Sequence, residues 1–286
     1  MRLKIFSCHH FKPEFTCNTE IFQTLVSNLP EPEDGSFRSD LGGINIAGDN
    51  LYSELRHQFY VWKNLIGAYD YIGFEHYRRR FFIDPLPAER LATDFHDVWE
   101  MRLYFAGFRD VGIGRDPVIF ERYLAMRRSF DAVTIARLKQ WIGGYDLVVP
   151  RPNIENIEEQ WKTWFDKDVL WDTMVEGMER SAYFKTHPKL LVLSMEICYF
   201  ANMYIMRTDL LDEYLTFCFE VLAFCRSRLP DLVARALGYF SERLFSFWLY
   251  QKRIEIPTLR VLELPFVMLK PRLDAGISRE ATGPVT

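Results

Sequence analysis

The segment running from Asp70 to Phe81, Asp-Tyr-Ile-Gly-Phe-Glu-His-Tyr-Arg-Arg-Arg-Phe, constrains the fold most, because an apolar run passes without a break into a dense polar one. Tyr71, Ile72, Gly73 and Phe74 read as a strand buried on both faces, since parallel strands covered by helices on both sides show continuous apolar runs rather than alternation. Glu75, His76, Arg78, Arg79 and Arg80 follow at once. An open α/β sheet has its ligand crevice at the carboxyl ends of its strands, so this polar cluster stands where a ligand belongs. The planar guanidinium fork matches phosphate oxygens bidentately, which suits a phosphate-bearing ligand. A solvated basic turn is the alternative that a charge run by itself leaves open.

Upstream, Arg2 to Cys8 reads as the opening strand, and the loop Cys8 to Pro13 follows its carboxyl end, with His9 and His10 as polar candidates for ligand contact or for a structural role. Residues 14 to 29 read as a short helix. Asp40 to Asn50 is rich in Gly and Asn, residues that accept left-handed backbone and let a ligand approach closely. Asn45 and Asn50 are the polar candidates in this loop. Asn50 is also placed to cap a helix whose apolar positions Leu51, Leu55, Phe59 and Trp62 fall at helical spacing. Glu54, one turn into that helix, either reaches the crevice or complements the helix dipole. The spacing matches neither a Walker A loop nor a dinucleotide fingerprint.

Downstream, residues 84 to 140 read as two or three amphipathic helices, Tyr145 to Val149 as a strand closed by prolines, and residues 153 to 182 as an acidic segment whose Trp161, Trp164 and Trp171 suit a core, stacking on sugar rings being the alternative. Tyr199 to Met206 reads as a strand carrying Asn202, followed by an amphipathic helix from Thr208 to Arg226. The helix from 238 to 251 is apolar on all sides and therefore buried. Glu242 and Arg243 inside it must be paired or functional, because an unpaired buried charge is costly. A carboxylate in apolar surroundings has a raised pKa, which suits a general base; an ion pair with an arginine of the 78 to 80 run is the alternative.

Several of these blocks together resemble a bacterial family of GT-A-like glycosyltransferases with an HYRR signature, found in capsule, exopolysaccharide and O-antigen synthesis, some of whose members are galactofuranosyltransferases. His76-Tyr77-Arg78-Arg79 is similar to the signature itself. Lys4-Ile5-Phe6 with Cys8 to Pro13 resembles the family's opening strand and loop. Gly43 to Ile46, Asn50 to Leu55 and Tyr60 to Asn64 resemble its Gly- and Asn-rich block, although Ile44 stands where an Asp is usual and Arg56 where a Thr is usual. Tyr199 to Met206 and Gly238 to Leu244 resemble two late blocks.

The resemblance implies a GT-A-like α/β fold with a mostly parallel central sheet flanked by helices and additional C-terminal helices, in one domain over residues 1–270 with a tail at 271–286. It implies transfer of a sugar from a nucleotide-sugar donor, a UDP-sugar such as UDP-galactofuranose, to a glycan or lipid-linked saccharide acceptor. Arg78 and Arg79 then neutralise the leaving diphosphate, with His9, His10, Asn45, Asn50, Glu54 and Arg243 on the donor side. His76 holds a phosphate or donor hydroxyl, Glu242 is the leading base, and Asn202 lies toward the acceptor. GT-A enzymes usually carry an Asp-x-Asp metal motif where this chain has Glu75-His76-Tyr77. Its absence implies that guanidinium charge replaces the metal; a divalent Mn or Mg ion held by Glu75 and His76 is the alternative. A non-catalytic nucleotide- or glycan-binding module, and a phosphatase or nucleotidyltransferase using the same arginines, are the other functional classes.

Composition is ordinary for a globular protein: 286 residues at 49% hydrophobic and 26% charged are enough for one large core or two modest ones. A formal net charge of −4 provides no basic field for nucleic acid. The five cysteines at 8, 17, 198, 218 and 225 contain no CxxC pair, which predicts reduced, buried thiols and a cytoplasmic chain. No apolar run reaches the ~18 residues of a membrane span, and no signal peptide is evident, so at most peripheral contact with a membrane is expected.

Overall fold

The computed structural model describes residues 1–10, 12–29, 35–83, 117–165, 168–186, 195–232, 234–264 and 266–269. Its main sheet is built from β1 (Leu3–His9), β2 (Phe22–Val26), β3 (Phe37–Arg38), β4 (Tyr71–His76), β5 (Arg79–Phe81), β6 (Leu147–Pro150), β9 (Tyr204–Arg207), β10 (Val261–Leu264) and β11 (Phe266–Met268). The strand order is β10-β6-β9-β4-β1-β2-β3, with β5 and β11 continuing from β4. Along this path β9 alone runs against the other strands. A separate ribbon pairs β7 (Asn153–Ile154) with β8 (Ile197–Cys198).

Side chains alternate along each strand and so serve two cores. Phe6, Cys8, Ile72, Phe74, Leu147, Val149, Tyr204 and Met206 face one. Over it lie α1 (Leu55–Leu65), α4 (Ile157–Phe165), α5 (Asp168–Arg180), α6 (Ala182–Thr186), α7 (Thr208–Arg228) and α8 (Ala236–Glu255). Leu3, Ile5, Tyr71, Val148 and Ile205 face the other, under α2 (Pro117–Arg128) and α3 (Ala132–Gly143). The central strands are thus covered on both sides, which is why the 71 to 74 run is apolar throughout. Trp161 and Trp171 are core residues, as expected, and all five cysteines are free and buried.

β1 is flanked by β2 on one side and β4 on the other, so the direction in which the sheet is built reverses there. Such a switch point opens a crevice outside the carboxyl ends of the two strands, which here are His9 and His76.

Three local expectations are corrected. Within residues 14 to 29 the chain forms strand β2 rather than a helix, because Phe22 to Val26 finds a ready-made partner in β1 and buries Phe22, Leu25 and Val26. Asn50 is not the cap: Asp49 accepts from the Leu51 amide at the start of a short 3-10 turn, and the α-helix begins only at Leu55. The late strand starts at Tyr204, leaving Asn202 in the turn before it. The helices expected over 84 to 140 are present as α2 and α3, while residues 84 to 116, the side chain of Trp164 and the tail at 271–286 lie outside the described residues.

Candidate functional site

Strand alternation divides the polar cluster at the end of β4. Glu75 points to the α2 side, where Arg127 donates to both of its carboxylate oxygens at 2.8 and 2.9 Å and the Phe81 amide donates at 2.8 Å. Arg80 lies 3.7 Å from the same carboxylate and is 1% exposed, so this arginine belongs to a buried ion network and not to the crevice. Arg80 also donates to His9 Nε2 at 3.2 Å and to the His76 carbonyl. Glu75 and His76 therefore face opposite sides of the sheet and do not converge on a shared ion position in this structure. Among the described residues no group of three His, Cys, Asp or Glu side chains converges to hold a metal ion. The residues at the usual metal-motif position thus do not fit one.

On the other side the His76 ring packs tilted against Tyr77 with ring centroids 4.2 Å apart, and Tyr77 in turn lies 6.2 Å from His9 and 6.3 Å from His10. His57, from the first turn of α1, adds a fourth imidazole 5.7 Å from His10. Burial pushes His9 and His76 well below the usual histidine range and His57 down to about 3, with neighbouring cations acting in the same direction, so these rings are neutral at pH 7. Arg56 donates to His10 Nδ1 at 3.2 Å and is itself anchored on the Ala47 carbonyl, Asn50 Oδ1 and the Ser53 carbonyl. A guanidinium only donates, so His10 carries its proton on Nε2, which lies 3.8 Å from Glu54 Oε2.

Glu54 is buried, yet it is held well below the usual carboxylate range. Burial pushes it up, and the side-chain contacts of His10 and Ser53 act in the opposite direction. Its other oxygen accepts from Asn202 Nδ2 at 2.7 Å. From α8, Glu242 Oε1 accepts from the Ala201 amide at 2.8 Å and Oε2 from Arg243 at 2.9 Å. Burial raises the Glu242 carboxyl against the opposing charge of Arg243. Arg78 lies in the turn out of β4 and Arg79 opens β5, both half-buried. Arg79 lies in the field of both Glu54 and Glu242, and among the described residues its guanidinium has no hydrogen-bond or ion-pair partner.

The structure therefore brings His9, His10, Glu54, His76, Arg78, Arg79 and Glu242 to one edge of the sheet. Four residues expected at the site have partners within the protein. Arg243 directs its guanidinium to Glu242, the Tyr239 carbonyl and Gln160, beneath the rings of Trp161 and Phe200. It is also the cation that pairs with Glu242, in place of one from the 78 to 80 run. Asn202 is 3% exposed and its amide is engaged with Glu54, Gly238 and Ser241. Asn45 and Asn50 are exposed; the first closes its own loop on Gly42 and Ala47, and the second holds Arg56. Sequence reasoning missed Arg56, His57, Tyr77 and Ser241 as members of the site. Arg56 was visible as the residue standing in place of a Thr, whereas His57 and Ser241 carry no signal until α1 and α8 are placed side by side.

No curated protein matches the sequence. Among solved structures the chain is similar to the apo structure of WbbM, a bifunctional glycosyltransferase, with a TM-score of 0.64 and 22% identity over 95% of this chain. The match covers 46% of the WbbM chain, so this protein spans less than half the length of that relative. The likeness establishes the fold as GT-A-like α/β, with its central sheet flanked by helices. A family model, described as "Domain of unknown function (DUF4422)", matches residues 4–253, and the chain belongs to that family.

Proposed function

We propose that the chain is a glycosyltransferase that moves a sugar from a nucleoside diphosphate sugar to a glycan or lipid-linked acceptor. The observation that carries this reading is Arg79. A half-buried guanidinium at the switch-point edge, without a partner among the described residues, pays a desolvation penalty that a bound anion would offset. Arg78 beside it completes a site for a diphosphate. The similarity to WbbM supports the sugar-transfer reading, and the resemblance of the HYRR-like block implies a UDP-sugar, UDP-galactofuranose among them, used for bacterial surface polysaccharide.

In the reaction the bond from the anomeric carbon to the diphosphate oxygen breaks, and the diphosphate leaves with the electron pair, stabilised by Arg78 and Arg79. The acceptor hydroxyl oxygen forms the new bond to that carbon and gives its proton to Glu242. A carboxyl raised by burial is suited to this step, since a base works best with a pKa near the working pH. Neutral His76 serves as a hydrogen-bonding group to the donor substrate, and the Nε2–H of His10 donates to it. Guanidinium charge takes the place of a metal. The free buried thiols support a reducing, cytoplasmic setting, and no helix among the described residues is long and apolar enough to cross a membrane.

The test is calorimetric titration with a panel of nucleoside diphosphates, alongside release of nucleoside diphosphate from the matching sugar donors in excess EDTA. One diphosphate should bind, its release should survive chelation, and Arg78→Ala/Arg79→Ala should abolish binding with the fold retained. Unchanged affinity in the double variant removes the arginines from the phosphate site. Binding without turnover identifies a non-catalytic module, and loss of turnover in EDTA restored by manganese defeats the metal-free reading.

A further inference from the structure

Ala201 and Asn202 are consecutive non-glycine residues with φ of 82° and 49°. Side chains rarely adopt this left-handed backbone, and it persists only where the surroundings over-determine it, as at functional sites. Here they do. The Asn202 carbonyl accepts from Gln58 at 2.8 Å, its Oδ1 accepts from Ser241 Oγ at 2.8 Å, and its Nδ2 donates to the Gly238 carbonyl at 3.1 Å. The remaining bonds run to two acids. Ala201 N–H donates to Glu242 at 2.8 Å, and Asn202 Nδ2 donates to Glu54 at 2.7 Å. An extended strand through these positions would send successive groups to opposite faces; the left-handed pair turns both toward the α1 and α8 side.

We propose that Asn202 is a positioning residue which, with Ala201, ties Glu54 and Glu242 into one coupled carboxylate pair, Glu54 acting as the fixed negative charge that sets the proton affinity of Glu242. This deepens the glycosyl-transfer reading above and rests on it for the role of Glu242. The groups facing Glu242 are Arg243 on its own helix, Arg79 from β5, Glu54 from the start of α1, and Tyr214 from α7. Of these only Glu54 adds negative charge at neutral pH. Two neighbouring acids whose environments push their proton affinities apart divide the work, one staying ionised while the other exchanges protons. The opposite directions found for Glu54 and Glu242 agree with that division.

The sign is fixed by electrostatics: a like charge disfavours ionisation, so removing it lets Glu242 ionise at lower pH. The experiment is a carboxyl carbon-13 NMR titration of the full chain, the Glu242 signal being assigned by its loss in Glu242→Gln. In Glu54→Gln, which keeps the shape and loses the charge, Glu242 should titrate at lower pH than in the parent. Asn202→Gly accepts the left-handed backbone while freeing Glu54, and should move Glu242 in the same direction. The acid limb of nucleotide release should follow both. An unchanged Glu242 titration in folded Glu54→Gln or Asn202→Gly overturns the coupling. A moved titration with an unmoved acid limb supports the coupling and instead overturns the base role of Glu242.

Discussion

Glu75 and His76 are adjacent in the chain, yet they do opposite jobs because a strand sends neighbours to opposite faces. Glu75 is 3% exposed and gives both oxygens to Arg127, itself 1% exposed. Breaking a buried pair of this kind leaves an uncompensated guanidinium, so Glu75→Gln should cost about 3–5 kcal/mol in urea unfolding. Arg79→Ala, at a half-buried cation without a partner among the described residues, should unfold at nearly the parent denaturant concentration. Equal losses in the two variants would contradict this division of the arginine run into structure and site. The run itself announced charge at a strand end. It did not announce that Arg80 turns inward while Arg78 and Arg79 stay at the edge.

At the scale of elements, β4 shows how a single small residue lets strands carry the site. A Cβ on Gly73 would meet Ile205 Cγ1 at 2.7 Å and Ile5 Cγ1 at 3.1 Å, from the strands on either side. Gly73→Ala should therefore overpack the α2 and α3 side and destabilise the fold by about 1–3 kcal/mol, measured by thermal or urea unfolding. A wild-type melting temperature would show that the two isoleucines give way freely. The same element was the easiest to read, since its apolar run has one interpretation in a sheet covered on both faces. β2 was harder. Phe22 to Val26 is short enough to suit a helix or a strand, and the choice was made by the hydrogen-bonding edge of β1.

For the whole molecule, the histidines joined to the site make stability depend on pH. His9, His57 and His76 are folded in their neutral forms, with pKa values lowered by burial. Unfolding returns them to about 6.5, so in acid the unfolded chain binds more protons and is favoured. Their contribution is complete above about pH 6.5 and is lost as pH falls toward the folded values, that of His57 lying at about 3. Urea midpoints should fall from pH 7 to pH 5, and His57→Gln should flatten that fall. A flat profile in the parent protein would place these rings in contact with solvent.

The sequence alone determined the class of fold, the buried strand that ends in charge, the apolar helix carrying Glu242 and Arg243, and the reduced cysteines. These are properties of local pattern, in which burial on two faces or all round is written into consecutive residues. Tertiary structure decided the rest. Glu54 just before α1, Ala201 and Asn202 before β9, and Glu242 on α8 are far apart in the chain and share no motif, and they meet only because β9 enters antiparallel beside β4 and α8 packs over the same edge. Which arginine finds a buried acid, and which is left for a ligand, is likewise a matter of long-range pairing that no local spacing encodes.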